Sequence, residues 1–245
     1  MLNNTQKDEL EMLLELDRIC KANNLEYYLA YGSVLGAVRH GGFIPWDTDI
    51  DIMVKIDNYK KFCEIVSKNL IEKYELKSYW ENPEYESLLT RLTITNKPHN
   101  LIHIDIFPLV GASKNKLVRK IEKKISFIVF RLYFIKKVNV NSYYHAETKK
   151  TRTIKLLKIL IKIIPERLLI LIFEKIANRH QISDADYIYN ICGSYGKKEF
   201  IPKEWLGKPK YFDFESSKFP VPKEWDKYLT HIYGDYMTPK KENYV

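Results

Sequence analysis

The sequence has few cysteines and no long apolar run. Its 245 residues contain three cysteines, Cys20, Cys63 and Cys192, which lie far apart and form no CxxC pair. A disulfide framework and a zinc ribbon are therefore not indicated, and we expect a reducing compartment. No apolar run reaches the roughly 18 to 20 residues of a membrane-spanning helix, and the polar N-terminal stretch lacks the apolar core of an export signal. From these absences we expect a cytoplasmic protein.

The composition is that of a soluble globular enzyme, but the charge is unevenly distributed. Apolar residues make up 45% and charged residues 29% of the chain, which is long enough to bury a substantial core. The formal net charge is +9, yet residues 114–180 contain 18 Lys and Arg against 4 Glu, so this stretch carries +14 and the remainder −5. The positive balance is therefore a property of one region.

The most informative stretch begins with a short strand, a turn of small residues and a helix. Tyr27–Tyr31 is aromatic and apolar, as in a buried strand, and it runs into Gly32, Ser33 and a short helical pattern. Backbone N–H groups at the start of such a helix lack partners within the helix and can bind phosphate. Gly32 allows the backbone to approach a ligand closely, and the Ser33 hydroxyl could contact a phosphate oxygen or simply cap the helix.

Acidic residues alternate with apolar ones soon after this helix. In Asp47–Val54 the period of two predicts a strand on which Asp49 and Asp51 share one face, with Asp47 joining them if the strand already extends that far. Like charges repel, so a divalent cation, Mg²⁺ or Mn²⁺, held by carboxylate oxygens would explain the arrangement. The alternatives are an acidic strand edge facing solvent and a Ca²⁺ loop, and the glycine and late Glu of a Ca²⁺ loop are missing.

A further acidic residue lies inside a later apolar strand. Leu101–Pro108 reads LIHIDIFP, and its Asp105 is flanked by isoleucine on both sides. An isolated buried aspartate is costly unless it is paired or binds a metal. We therefore predict that this strand lies beside the one carrying Asp49 and Asp51, where Asp105 serves as a metal ligand or as the base for an acceptor hydroxyl.

These motifs together resemble a known family. Gly32-Ser33, Asp49-Ile50-Asp51 and Asp105 follow the pattern of the nucleotidyltransferase-fold superfamily, and AYGSVLGAVRHGGFIPWDTDIDI resembles the LicD family of phosphotransferases. HIDIFPL, FIPKEWLG and KFPVPKEWDKYLTHIYGDYM are similar to the later blocks of that family, in the same order. The resemblance implies a CDP-alcohol donor such as CDP-choline, release of CMP, and a glycan that receives a phosphodiester-linked substituent.

The local patterns predict an α+β fold, a mixed β-sheet with flanking helices, and the resemblance implies that the sheet is nucleotidyltransferase-like. Helices are predicted at Gln6–Lys21, capped by Thr5, at Asp57–Leu70, from Asp184 onward and at Trp225–Tyr236. Strands are predicted at Tyr74–Trp80 and Glu86–Asn96, and a hairpin at Lys210–Pro220 with its turn at Ser216-Ser217. We expect a catalytic core over residues 1–110, a basic amphipathic helical insertion over 111–182, and a C-terminal segment over 183–245 that completes the core.

The basic insertion combines apolar runs with regularly spaced cations, as in KLVRKIEKKISFIVFRLYFIKK. This pattern is typical of a helix that lies on an anionic membrane. The alternative is a helical cap packed on the sheet with its charges solvated. Nucleic acid is not an expected partner, because no Gly-rich basic arm or known reader motif is present.

Four basic side chains are candidates for contacting the pyrophosphate of a donor. They are Arg39, His40, Lys197 and Lys218, and Arg39 is the best placed because it follows the Gly32-Ser33 turn.

We hypothesise a metal-dependent phosphotransferase that acts on a glycan or lipid-linked glycan, at the inner face of the cell membrane. Two alternatives remain open at this point. One is a nucleotidyltransferase in which the acceptor attacks the α-phosphate of a nucleoside triphosphate and pyrophosphate is released. The other is a non-catalytic membrane-surface protein on the same fold.

Overall fold

The computed structural model has a curled mixed β-sheet at its centre with helices around it. It describes residues 2–47, 49–82, 84–98, 102–140 and 148–238. The strands are β1 (Tyr28–Leu29), β2 (Ile50–Lys55), β3 (Tyr74–Lys77), β4 (Thr90–Ile94), β5 (His103–Ala112), β6 (Tyr187–Asn190), β7 (Ile201–Pro202), β8 (Lys210–Phe214) and β9 (Ser217–Val221). The α-helices are α1 (Asn4–Ala22), α2 (Tyr31–His40), α3 (Ile56–Asn69), α4 (Lys116–Lys137), α5 (Lys149–Leu160), α6 (Glu166–Ala177) and α7 (Trp225–Tyr233).

The long strand β5 organises the sheet. The strand order is β1-β2-β5-β4-β3; β6 pairs with the second half of β5, and β7 pairs with β6. The pairing of β2 with β5 is parallel and the other pairings in this sheet are antiparallel. The predicted α+β class is confirmed, since the sheet is mixed and helices flank it. The nucleotidyltransferase-like character and the three-part division of the chain stay predictions.

Local sequence explains how the two helices before β2 begin and end. Helix α1 is capped by Asn3, whose side chain accepts the N–H of Gln6 while the Gln6 side chain accepts the N–H of Asn3. The prediction of Thr5 as the cap is therefore wrong by two residues, because this reciprocal pair satisfies two backbone donors at once. Helix α2 ends at Gly41, whose φ of 65° is the left-handed conformation that glycine adopts at helix ends.

Three other elements differ from those predicted. The helix expected from Asp184 is replaced by β6, because the aromatic and β-branched residues of Tyr187–Asn190 can pair with the second half of β5. The turn of the β8–β9 hairpin lies at Glu215-Ser216 rather than one residue later, since Phe214 pairs with Ser217. The strand predicted from Leu101 begins at His103 in the structure, and Leu101 itself lies outside the described residues.

The helical region joins the sheet through its own hydrophobic cluster. Val129 and Tyr133 of α4 and Leu169 and Phe173 of α6 are buried together with Tyr189 of β6. Along the parts of the chain that the structure covers, no helix is both long and apolar enough to cross a membrane. Helices α4 and α6 thus pack on the second half of β5 and on β6 through one face each.

A buried lysine fastens α4 to the end of β6. The side chain of Lys123 is largely buried, and its Nζ donates to the carbonyl oxygens of Asn190 at 2.8 Å and Gly193 at 2.7 Å. Burial lowers the pKa of Lys123. The cation thus holds the turn that follows β6 against the helical region.

Replacing Lys123 with methionine should destabilise the protein, because the two carbonyl groups lose a buried donor. Methionine keeps most of the apolar stem, so the expected cost is about 1–3 kcal/mol of unfolding free energy, the usual penalty for unsatisfied buried polar groups. Urea unfolding monitored by circular dichroism measures it. Lys124→Met is the matched control, since Lys124 is exposed. Equal unfolding midpoints for the two variants would contradict the anchoring role of Lys123.

Candidate active site

Four aspartates from three parts of the fold line one pocket of about 470 Å³. Asp47 and Asp49 lie in the connection between α2 and β2, Asp51 lies in β2, and Asp105 lies in β5. The strand predicted from Asp47 begins only at Ile50, so Asp47 and Asp49 reach the pocket from a loop. The rest of the wall is apolar, aromatic or small and comprises Tyr31, Gly32, Leu35, Ile44, Leu89, Phe107, Phe130, Cys192, Gly193, Ser194, Tyr195 and Tyr233.

The pairing of β2 with β5 brings two of these carboxylates side by side. Asp51 and Asp105 are direct partners in the parallel ladder, and Arg91 is the partner of Asp105 on the opposite side, in β4. Paired residues on neighbouring strands project to the same face of a sheet. Asp51, Asp105 and Arg91 therefore share the face that forms the pocket.

The turn before α2 is tied to β2 by backbone hydrogen bonds. The N–H of Asp51 donates to the Ser33 hydroxyl at 2.9 Å, and the N–H of Ala30 donates to the carbonyl of Asp51 at 2.8 Å. Gly32 lines the pocket, and a Cβ added there would lie 2.8 Å from Oδ2 of Asp47. Glycine is thus required for the Asp47 carboxylate to approach the start of α2 this closely.

The pocket is strongly negative. Burial raises the pKa of Asp51 well above its usual range, and the charges of Asp105, Asp49 and Asp47 raise it further, whereas Arg91 acts in the opposite direction. The Arg91 guanidinium lies 2.7 Å from Oδ1 of Asp105. A second positively charged group would be favourable near these four carboxylates.

A divalent cation fits the chemistry of this donor set. Carboxylate oxygens are hard ligands, and Mg²⁺ is commonly held by one or two carboxylates together with water and substrate phosphates. Among the side chains that the structure describes, no three His, Cys, Asp or Glu residues are arranged to hold a metal ion by themselves. The predicted Mg²⁺ or Mn²⁺ site thus stays a prediction.

Five of the residues predicted to bind phosphate do not line this pocket. Ser33 is buried with its hydroxyl engaged by Asp51, and Arg39 donates to the carbonyl of Tyr236 at 2.7 Å. In these contacts Ser33 and Arg39 bind other parts of the chain.

The remaining three candidates lie on other surfaces. His40 is exposed beside the Trp46 ring, and its pKa is lowered by partial burial and by Arg39. Lys218 is exposed in the β8–β9 hairpin, 3.7 Å from Asp213. Lys197 lines a second cavity that adjoins the carboxylate pocket. Of the six predicted substrate-binding residues, the structure therefore places Gly32 on the pocket wall.

A buried polar network at the edge of the pocket has no local signal in the sequence. Tyr31 has a positive φ of 43°, and its hydroxyl donates to Glu199 at 2.5 Å and accepts from the Asn190 side chain at 2.8 Å. The other oxygen of Glu199 accepts the N–H of Tyr195 at 2.8 Å. A Cβ added to Gly193 would lie 2.2 Å from Glu199, so glycine is needed there. Residues 190–199 thus fix Tyr31, the first residue of α2.

A buried glutamate behind the aspartates is a second residue that the sequence patterns did not reveal. Glu9 lies in α1, which periodicity identified only as scaffold, and it is 0% exposed. Burial raises its pKa to about 9, with further contributions from the charges of Asp49 and Asp47. Glu9 is therefore protonated at neutral pH in the cation-free protein, which avoids a fifth negative charge near the pocket.

Comparison with known proteins identifies relatives of this chain. Residues 24–136 match the LicD/FKTN/FKRP nucleotidyltransferase domain. The chain is 27% identical over 246 residues to the lipopolysaccharide cholinephosphotransferase LicD of Haemophilus influenzae, which covers 93% of this chain and 88% of that protein. It is 26% identical over 90 residues to the human ribitol 5-phosphate transferase FKRP, which covers 37% of this chain and 18% of that protein. The matched domain contains all four pocket aspartates.

Replacing Glu9 with glutamine should stabilise the cation-free protein increasingly as the pH rises from 5 to 8. In the unfolded chain the carboxyl ionises near its ordinary pKa of 4.5, whereas in the fold its pKa is about 9, so folding between these pH values must take up a proton. The cost grows by up to about 1.4 kcal/mol per pH unit over this range. Glutamine binds no proton and avoids this cost.

Thermal unfolding with a chelator present, at several pH values, measures the effect. Glu64→Gln is the matched control, because Glu64 is exposed on α3. If the difference between Glu9→Gln and the parent protein stays constant over this range, Glu9 does not have the raised pKa.

Proposed function

Because the chain belongs to the LicD family and is a LicD-like phosphotransferase, we propose that it moves a phospho-alcohol group from a CDP-alcohol to a glycan hydroxyl. Phosphocholine or a similar group would be transferred, and CMP would leave. The relatives named above transfer cholinephosphate and ribitol 5-phosphate. Phosphate-alcohol transfer is the chemistry that these two names share.

The observation that carries this proposal is the convergence of four carboxylates in front of the turn that opens α2. The position of Asp51 and Asp105 on neighbouring parallel strands supports a nucleotidyltransferase-like sheet. Backbone N–H groups at the start of a helix favour phosphate, and Gly32 at the start of α2 lines the pocket. Negative carboxylates and a negative diphosphate share one pocket only if a cation lies between them.

In the mechanism that we propose, carboxylates among Asp47, Asp49, Asp51 and Asp105 would hold Mg²⁺ or Mn²⁺ together with phosphate oxygens of the donor. When bound, the ion would offset the charge of the diphosphate and of the departing CMP. The residues of the chain would orient the reactants and move one proton. The start of α2 would position the diphosphate, and Arg91 would orient the Asp105 carboxylate through their contact at 2.7 Å.

The transfer step balances with one bond formed and one broken. Asp105 would accept the proton of the acceptor hydroxyl as its oxygen attacks the phosphorus that carries the alcohol. The new P–O bond forms in line with the bond from phosphorus to the bridging oxygen. That bond breaks, and the bridging oxygen leaves as part of CMP. The aromatic walls of the pocket would limit the access of water to this phosphorus.

Aromatic side chains in the same pocket support choline as the alcohol of the donor. Tyr31, Phe107, Phe130, Tyr195 and Tyr233 all line it. The Tyr31 and Tyr195 rings stack with centroids 5.1 Å apart, and the Tyr195 and Tyr233 rings meet edge to face at 5.9 Å. Electron-rich ring faces attract quaternary ammonium groups. A glycerol or ribitol group has no such charge.

The acceptor that we propose is a glycan, and a lipid-linked glycan would place the enzyme at the inner face of the cell membrane as a peripheral protein. The basic helical region between β5 and β6 supports this placement.

Incubation with a panel of CDP-alcohols, a glycan acceptor and Mg²⁺ should release CMP, and a chelator should stop the reaction. Chromatography of the nucleotide products measures it. The panel contains CDP-choline, CDP-glycerol and CDP-ribitol, and nucleoside triphosphates form a separate arm. Pyrophosphate from the triphosphates, without CMP from the panel, would show a nucleotidyltransferase instead.

Asp51→Asn is the active-site control for this assay. This variant should abolish CMP release. The protein should remain folded, because the substitution removes a charge whose burial is already unfavourable. Asp213→Asn is the matched variant, since Asp213 is 73% exposed in the β8–β9 hairpin away from the pocket. Normal turnover by folded Asp51→Asn would refute the assignment of the site.

Replacing Tyr195 with leucine should weaken CDP-choline more than CDP-glycerol. Leucine keeps an apolar wall but removes the ring face, so KM for CDP-choline should rise about 5-fold to 30-fold, as expected for a cation–π contact of roughly 1–2 kcal/mol. Steady-state kinetics with both donors measures the ratio. Tyr211→Leu is the control, because Tyr211 is exposed and lies outside the pocket. Equal changes in KM for the two donors would argue against a choline contact at Tyr195.

A further inference from the structure

Exposed apolar side chains are concentrated in the helical region between β5 and β6. Of the eighteen large apolar side chains that are exposed in the described part of the chain, twelve lie between residues 117 and 171. They are Leu117, Ile121, Ile125, Phe127, Ile128, Leu156, Leu157, Ile159, Leu160, Ile163, Leu168 and Leu171. Scattered single exposures are ordinary, but such a concentration marks an interaction surface.

Helix α4 has two apolar sides, and its core uses only one of them. The side toward the sheet includes Val129 and Tyr133, which are buried. Leu117, Ile121 and Ile128 are spaced to project from the opposite side, and they are 66%, 48% and 44% exposed. Packing on the sheet therefore explains the first side and leaves the second without a role in the fold.

Exposed apolar side chains also lie on the elements packed beside α4. Helices α5 and α6 both contact α4. Ile159 and Leu160 near the end of α5 are 69% and 61% exposed, and Ile163 in the following turn is 87% exposed. Leu168 and Leu171 of α6 add two more exposed side chains at helical spacing. We call these exposed side chains of α4, α5, α6 and the turn at Ile163 the outer face.

The charges around the outer face indicate an anionic partner. Lys116, Lys120 and Lys124 are exposed and lie next to the apolar stripe of α4 at the same spacing. The whole stretch from 114 to 180 carries +14. An apolar surface interspersed with cations fits a bilayer that contains anionic lipids, because the side chains insert among the acyl chains while lysines contact the headgroups.

One edge of the outer face leads to the carboxylate pocket. Lys120, Lys124 and Phe127 of α4 line a second cavity of about 370 Å³ together with Lys197. This cavity shares Gly193 and Ser194 with the carboxylate pocket. A lipid phosphate among these lysines would therefore lie next to the proposed site of transfer.

We propose that the outer face docks on an anionic membrane surface and thereby presents the lysine-lined cavity, with the carboxylate pocket beside it, to an acceptor carried on a lipid. The role of the acceptor rests on the proposed function, whereas the docking itself does not. Docking is therefore measured by binding and transfer by CMP release, so that failure of one is distinguished from failure of the other.

Co-sedimentation with vesicles tests the docking. The full chain should bind vesicles of phosphatidylcholine with phosphatidylglycerol, should not bind phosphatidylcholine alone, and should bind less as salt is added. Leu117→Ser, Ile121→Ser and Ile128→Ser together should reduce binding at least 10-fold. Leu14→Ser, Ile71→Ser and Tyr211→Ser together form the matched control, because these three side chains are also exposed, at 36%, 49% and 54%, but lie outside the outer face.

Circular dichroism and thermal unfolding confirm that both triple variants are folded, and both should release CMP at the parent rate with a water-soluble acceptor. Absence of vesicle binding by the parent protein, or equal binding by both triple variants, would overturn the proposal. A parent protein that is dimeric by light scattering, becomes monomeric in the α4 triple variant and does not bind vesicles would show that the outer face contacts a second copy instead.

Discussion

The carboxylates of Asp51 and Asp105 lie side by side because parallel pairing of β2 with β5 leaves them no other position. Burial and mutual repulsion raise the pKa of Asp51, so in an unliganded protein this juxtaposition costs free energy. The surrounding structure nevertheless maintains it. Ser33 holds the N–H of Asp51, and Arg91 holds Asp105. A costly arrangement of charged groups that the fold nevertheless maintains is a common feature of functional sites.

Residues in the second half of the chain stabilise this arrangement through contacts with Tyr31 at the pocket wall. Asn190 at the end of β6 and Glu199 beyond it bind the Tyr31 hydroxyl, and Lys123 donates to carbonyl groups of the intervening turn. Residues 190–193 thus contact both the helical region and the pocket wall. The membrane binding and the group transfer that we propose would therefore take place at adjacent parts of the structure.

The helical region has two different surfaces with two different physical roles. Its inner side buries a cluster that includes Tyr133 and Phe173 against the second half of β5 and β6. Its outer face keeps leucine and isoleucine exposed among lysines. The two possibilities raised by the sequence, a helical cap and a membrane contact, are therefore compatible. The structure shows the packing, and membrane contact is our proposal for the other side.

Local periodicity and turn chemistry determined the α+β class, the helices α1, α2 and α3, the hairpin and the acidic motif, because these depend on interactions between residues close in sequence. Only the tertiary structure decided that residues 187–190 form a strand, since their pairing partner is the second half of β5, which is distant in sequence. It also decided that Glu9 lies behind the aspartates, that Tyr31 depends on Glu199, and that Arg39 and Lys218 point elsewhere. These are contacts between residues far apart in the chain, and no spacing in the sequence encodes the distance between two such side chains.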